Sequence, residues 1–188
     1  MSQVKFMIGC DPEIFVQDEN GVPQSAVGLV KGTKKEPQKV PDGAVQVDGL
    51  ALEINTTPVL FTDYGSFDRH VVGVLGSLKS RLPEGWNFLI KPSVEFSKEV
   101  IDAAPPEALE LGCEPDYNAW QEGLANPRPN ASTNLRTGAG HLHIGWDKDI
   151  PVDHPDHIAV CCDFVKTLDL YVGLASIIID PDPTRRTL

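Results

Sequence analysis

Apolar and polar residues alternate with a period of two over much of the first sixty positions, the pattern of half-buried strands. Val4–Val16 reads as one long strand that carries Pro12, a residue with no N–H and therefore suited to an edge, a bulge or a break in the ladder. Asn20-Gly21 follows as a hairpin turn, and the chain is expected to return through Val22–Val30. After a polar loop from Gly32 to Gly43 that holds Lys34, Lys35 and Lys39, Ala44–Val47 and Leu50–Thr56 form a second hairpin around Asp48-Gly49. The period then changes. Tyr64, Phe67, Val71, Val74, Leu75, Leu78 and Leu82 recur at helical spacing, with Thr62 or Asp63 as the N-cap and Pro83 as the stop.

Trp86–Ile90 reads as a further strand, with a short run on to Phe96. Between Ala103 and Arg136 the chain is irregular, with a short helix after Pro105-Pro106, and Tyr117 and Trp120 mark it as a stretch that packs. It leads into Gly138–Trp146, so it is expected to wall whatever site that strand carries. The last element starts near Asp153 or His154, with Pro155 in its first turn, and runs to Ile179 before Asp180-Pro181. At about 25 residues it would be nearly 40 Å long. Its C-terminal half is apolar all round and is expected to be buried against the sheet. His70 lies on the polar side of its helix, and His154 and His157 belong to the start of the last one. Those three histidines read as boundary or capping residues.

Alternation also decides where the chemistry lies. In GAGHLHIGW, His141 and His143 share one face, while Leu142 and Ile144 fill the other and Gly138 and Gly140 admit a close backbone or ligand. In GCDPEIFV, Asp11 and Glu13 stand two apart. In DGLALEIN, Glu53 and Asn55 share a face, and Asp48 precedes them. A sheet that buried these groups unpaired would lose several kcal/mol for each. Oxygen-rich donors with one or two histidines suit Mg²⁺ or Mn²⁺ better than Zn²⁺. Three half-exposed strands with polar faces in water remain the plain alternative.

Composition narrows the class. With 188 residues, 41% hydrophobic and 23% charged, the chain fits a single domain with its own core, residues 1–188. A net charge of −11 argues against nucleic acid as partner, because phosphate neutralisation needs a concentrated basic face. Cys10, Cys113, Cys161 and Cys162 show no C-x-x-C spacing, and no segment has the length or apolarity of a signal peptide or a membrane span. A reducing cytoplasm is the expected location, with no membrane partner.

The three motifs in this order resemble the glutamine-synthetase-like carboxylate–amine ligases, in particular the COOH·NH2 ligase (type 2) group of tailed bacteriophages. GCDPEIFVQD is similar to the family strand bearing two metal-binding glutamates. ALEIN resembles the strand bearing another, and TGAGHLHIGW resembles the N-G-S-G-x-H-x-H strand. The resemblance implies an α+β fold in which a curved, mainly antiparallel sheet carries Asp11, Glu13, Glu53, His141 and His143 on its concave face and two long helices cover the other. It implies ATP and Mg²⁺ (or Mn²⁺) as cofactors, and ligation of a small-molecule or peptide carboxylate to an amine through an acyl phosphate.

Residue by residue, the resemblance assigns Glu13 and Glu53 to the metal nearer the acceptor substrate, and Asp11 and His141 to the metal on the nucleotide phosphates. His143 would contact phosphate or a further metal. Gly138 falls where the family backbone touches the substrate carboxylate, with Gly140 beside it. Asp48 stands closer to Glu53 than the family's usual spacing between that pair of acids, and Asp11 replaces a glutamate. Apart from the resemblance, the loop with Lys34, Lys35 and Lys39 reads either as a solvated turn or as a basic flap over an anionic substrate. The family's closing strands follow the long helix, whereas this chain stops at Arg185-Arg186-Thr187-Leu188. The expectation is therefore a C-terminally truncated form, with Arg185 and Arg186 as the only basic pair available to phosphate, and possible self-association. A metal-dependent hydrolase and a non-catalytic phage protein that retains a ligand-binding sheet are the competing functions.

Overall fold

The computed structural model describes residues 5–111, 117–127, 133–146 and 151–180. The chain divides into two units, residues 1–110 with 131–147 and residues 111–130 with 148–188. The first is α+β, a curled antiparallel half-barrel sheet with few helices. Its strands are β1 Phe6–Cys10, β2 Glu13–Gln17, β3 Pro23–Gln24, β4 Gln38–Val40, β5 Gly43–Asp48, β6 Ala51–Thr56 and β7 Val59–Leu60. Helix α1, Tyr64–Lys79, comes next, then β8 Asn87–Leu89, β9 Ser93–Glu95 and the short helix α2 Lys98–Ala103. In the second unit β10 Tyr117–Asn118 pairs with β11 Leu124–Ala125. The first unit then resumes with β12 Leu135–Thr137 and β13 Leu142–Trp146.

The long first strand is broken at Asp11-Pro12. β1 pairs with β13 and β7, whereas β2 belongs to a sheet ordered β3-β2-β6-β5-β4, with β8 also on β2. Proline explains the break: Asp11 and Glu13 donate their N–H groups to the carbonyls of His141 and Ala139, and between them Pro12 can only accept, from the Ile54 N–H at 3.3 Å. The Asn20-Gly21 turn forms, with Asp18 accepting from the N–H groups of Asn20 and Val22 and Gly21 at φ +78°. The returning strand is only Pro23–Gln24, shorter than Val22–Val30. The second hairpin has Asp48 opposite Ala51, so Gly49, at φ +55°, and Leu50 form its loop, one position later than expected.

Side chains on one face of this sheet, Val16, Val45, Leu52 and Ile54, pack with Val74 and Leu78 of α1. The helix is capped by Asp63, whose carboxylate accepts the Ser66 N–H. Gly43 sits where β5 runs under α1; a Cβ there would lie 2.9 Å from a Val74 methyl. Phe15, on the other face of β2, packs with Leu50, Ala51, Val94, Phe96 and Ala108 in a second cluster. His70 is half-buried at the sheet boundary, its Nδ1 2.8 Å from the Thr57 carbonyl oxygen.

Two expectations are corrected. Leu142 is 53% exposed and fills no core, because its β13 face carries no covering cluster among the described residues. The last helix is not one 25-residue rod: α3, His157–Leu168, gives way to a π turn at Asp169–Gly173 and then α4, Leu174–Ile179. The turn starts at Asp169, whose Oδ2 accepts the Trp120 indole N–H at 2.7 Å. Its C-terminal apolar side chains are exposed, Ile178 at 84% and Ile179 at 82%, so the expected burial against the sheet is not found. No helix among the described residues is long and apolar enough to cross a membrane.

Candidate functional site

The register of three strands assembles the acids. Glu13 of β2 stands directly opposite Glu53 of β6, and Gln46 of β5 opposes Glu53 from the other side. Opposed residues point the same way, and Asp48, two residues beyond Gln46, joins them. One carboxylate oxygen from each of Glu13, Asp48 and Glu53 lies within 4.8 Å of the other two. Neighbouring residues Val45, Leu52 and Ile54 turn into the core beneath α1, so the apolar half of the alternation anchors the acidic half.

Donors are few. Glu53 accepts the Gln46 amide N–H at 3.0 Å and a long bond from Asn55 at 3.4 Å. Glu13 accepts the Ala139 N–H at 2.8 Å, and Asp48 pairs with Lys34 at 2.8 Å. Burial, with Asp48 close by, pushes the Glu13 carboxyl up to about 6, and the Ala139 N–H and Lys34 only partly oppose it. Glu53 is pushed to about 7, first by burial and then by the charges of Asp48, Asp11 and Glu13, against the Gln46 hydrogen bond. Lys34 brings an ammonium to Asp48, and burial still holds both glutamate carboxyls above their ordinary range.

Asp11 is handled differently. The β1–β13 register, with Gly9 opposite His143, brings both histidines over the strand break. Asp11 Oδ1 accepts the His141 backbone N–H at 2.8 Å and lies 3.1 Å from His141 Nδ1, and Oδ2 lies 3.0 Å from His143 Nε2. A carboxylate can only accept, which sets the tautomers as Nδ1–H on His141 and Nε2–H on His143. The second nitrogen of each ring is then the acceptor, on rings that are 53% and 57% exposed.

The two glycines of the motif serve close approach within the chain. A Cβ on Gly138 would lie 3.0 Å from the Phe15 ring, and one on Gly140 would lie 3.2 Å from Pro12 Cα. That contact lets residues 139–141 run alongside 11–13. The structure thus brings together Glu13, Asp48, Glu53 and Lys34, and separately Asp11, His141 and His143. Arg185 and Arg186 lie outside the described residues, as does Cys113.

Sequence reasoning missed Gln46 and Arg136. The same alternation that places Asp48 beside Glu53 also places Gln46 there, so its signal was present in β5. Arg136 is 4% exposed and donates to the carbonyl oxygens of Thr133 and Leu135, while its Nε has no hydrogen-bond partner among the described residues. A single arginine before a glycine-rich strand gives no sign of that burial. Compared with models of protein families, with characterised proteins and with solved structures, the chain matches none.

Proposed function

We propose that this protein is an ATP- and Mg²⁺-dependent carboxylate–amine ligase that forms an amide or peptide-like bond through an acyl phosphate, in the cytoplasm. The observation that supports this reading most is the convergence of Glu13, Asp48 and Glu53 to within 4.8 Å on one sheet face. Oxygen donors on this pattern fit Mg²⁺ or Mn²⁺ by their chemistry. The upward shifts of Glu13 and Glu53 come first from burial and then from neighbouring acids, a setting that a bound cation would relieve. Bound there, a divalent cation neutralises charge on transferring phosphoryl oxygens.

The chain's own residues do the positioning. Glu13, Asp48 and Glu53 hold the cation, and Asp11 orients His141 and His143, whose exposed rings face anionic oxygen. Lys34 sits on a polar loop from which an ammonium reaches Asp48 and, in this reading, an anionic substrate. Gly138 and Gly140 keep the 138–141 backbone close to the acids. The substrates are a small-molecule or peptide carboxylate and an amine.

The test is a screen of acids and amines for phosphate release from ATP by the whole chain. Release that needs Mg²⁺, acid and amine together, and is lost in Glu53→Gln, is expected. Release with water alone would assign a metal-dependent hydrolase instead. No nucleotide binding at all would leave a non-catalytic ligand-binding sheet.

A further inference from the structure

We propose that Gln46 is a further ligand of this site, giving a neutral fourth oxygen to the cation held by Glu13, Asp48 and Glu53; the inference rests on the cation reading above. Gln46 is 5% exposed, and its Oε1 has no hydrogen-bond partner among the described residues. Buried polar atoms are nearly always satisfied, so an orphan acceptor here calls for a partner. The amide's orientation follows from its neighbour. Where Glu53 is ionised its Oε2 accepts, so the Gln46 Nε2 faces it at 3.0 Å, and Oε1 lies one amide width away on a side chain that shares the face of the three acids.

Glu13, Glu53 and an orphan carbonyl, with the Lys34 ammonium held at Asp48, have one need in common, a further positive partner without hydrogen-bonding direction. A hard divalent cation meets it, since amide carbonyls and carboxylates are its ordinary ligands. The choice of glutamine has a charge argument as well. Three acids already exceed the charge of one divalent ion, so a neutral oxygen adds a ligand without adding repulsion. A water on Oε1 is the competing occupant, and the experiment separates the two.

Calorimetric titration with MgCl₂ alone, on the whole chain, compares wild type with Gln46→Leu and Gln46→Glu. Gln46→Leu loses the oxygen, and its Mg²⁺ affinity is expected to fall by about tenfold or more. Gln46→Glu keeps an oxygen but loses the N–H to Glu53, and is expected to bind as tightly as wild type or tighter. In wild type the Gln46 side-chain amide resonance, identified by its absence from Gln46→Leu, is expected to move on adding Mg²⁺. That readout stands even if Gln46→Leu is misfolded by circular dichroism, with a uniformly labelled Gln46→Glu sample then giving the identification. Equal affinities with an unmoved resonance would overturn the proposal and leave the three-acid site in place. Gln46→Glu as weak as Gln46→Leu would overturn it too, by showing that only the N–H to Glu53 matters. No Mg²⁺ binding by wild type would remove the cation reading itself, and this proposal with it.

Discussion

Asp11, at the break between β1 and β2, and Glu53 of β6 are buried to nearly the same degree, 8% and 7% exposed, yet their surroundings ask for different things. Both oxygens of Asp11 are met by donors from the facing strand, one backbone N–H and two imidazoles. Glu53 faces Glu13 across the ladder and shares its space with Asp48, with one good donor from Gln46. Burial alone therefore does not define the candidate site. What defines it is the ratio of acceptors to donors: Asp11 is satisfied from within the chain, whereas the three-acid group has few donors beside the Lys34 ammonium at Asp48.

The largest consequence is a pH dependence of the cation-free protein. Glu13 and Glu53 rise from the ordinary 4.5 to about 6 and about 7 in the folded state. Folded protein thus binds more protons than unfolded between about pH 4.5 and 7, and stability falls as pH rises through that window. Their contribution is fully present below the unfolded value of 4.5 and lost above about 7, a change of at most about 5 kcal/mol for shifts of about 1.5 and 2.5 units on interacting groups. Urea unfolding in EDTA at stepped pH measures it, and Mg²⁺ is expected to restore the loss at pH 8. A flat profile in EDTA would show that the acids are already balanced and remove the contrast with Asp11.

Glu53→Gln isolates one member. It removes the most strongly shifted carboxyl, so the cation-free variant at pH 8 should be more stable than wild type, by about 3 kcal/mol for a shift of 7 − 4.5 = 2.5 units. At the same time the Mg²⁺-induced rise in melting temperature should disappear, since mass action needs a bound state. A variant less stable than wild type that still responds to Mg²⁺ would make Glu53 a structural carboxylate.

Asp11→Asn should behave in the opposite way. It turns one accepting oxygen into a donor facing His143, and a loss of about 1–3 kcal/mol is expected whether or not Mg²⁺ is present. Thermal melts with and without the ion read it. If the loss appeared only with Mg²⁺, Asp11 would belong with the cation ligands, as the family resemblance suggests, and the two regions would be one site.

The site was more legible in the sequence than the fold around it. Alternation is a local property, so Glu13, Glu53, His141 and His143 could be given faces from their neighbours alone, and the two hairpins followed from Asn20-Gly21 and Asp48-Gly49. The break at Asp11-Pro12 was signalled by proline. What the sequence did not carry was long-range: that Glu13 would register opposite Glu53, that Asp11 would be closed by both histidines, or that Gln46 would be orphaned. These depend on partners up to 132 residues away. The last helix misled because an apolar run reads as buried, whereas the Trp120–Asp169 bond and the π turn that starts there belong to a second unit.

The smallest expected effect concerns the positive charge that the acids already hold. Lys34 places its ammonium 2.8 Å from Asp48 Oδ2, but its side chain is 56% exposed, and exposed pairs contribute only about 0.2–1 kcal/mol. A divalent cation and that ammonium repel each other at such range, so one must withdraw from Asp48 when the other binds. Lys34→Ala should therefore lower cation-free stability by less than about 1 kcal/mol and raise Mg²⁺ affinity about two- to fivefold, the same energy seen from the other side. Low salt should enlarge both effects, because screening weakens an exposed pair. Asp11 offers no such exchange, since its partners are imidazoles fixed on the facing strand. Weaker Mg²⁺ binding by Lys34→Ala would mean that the loop holds Asp48 in place for the ion, and that Lys34 assists the cation where competition is expected.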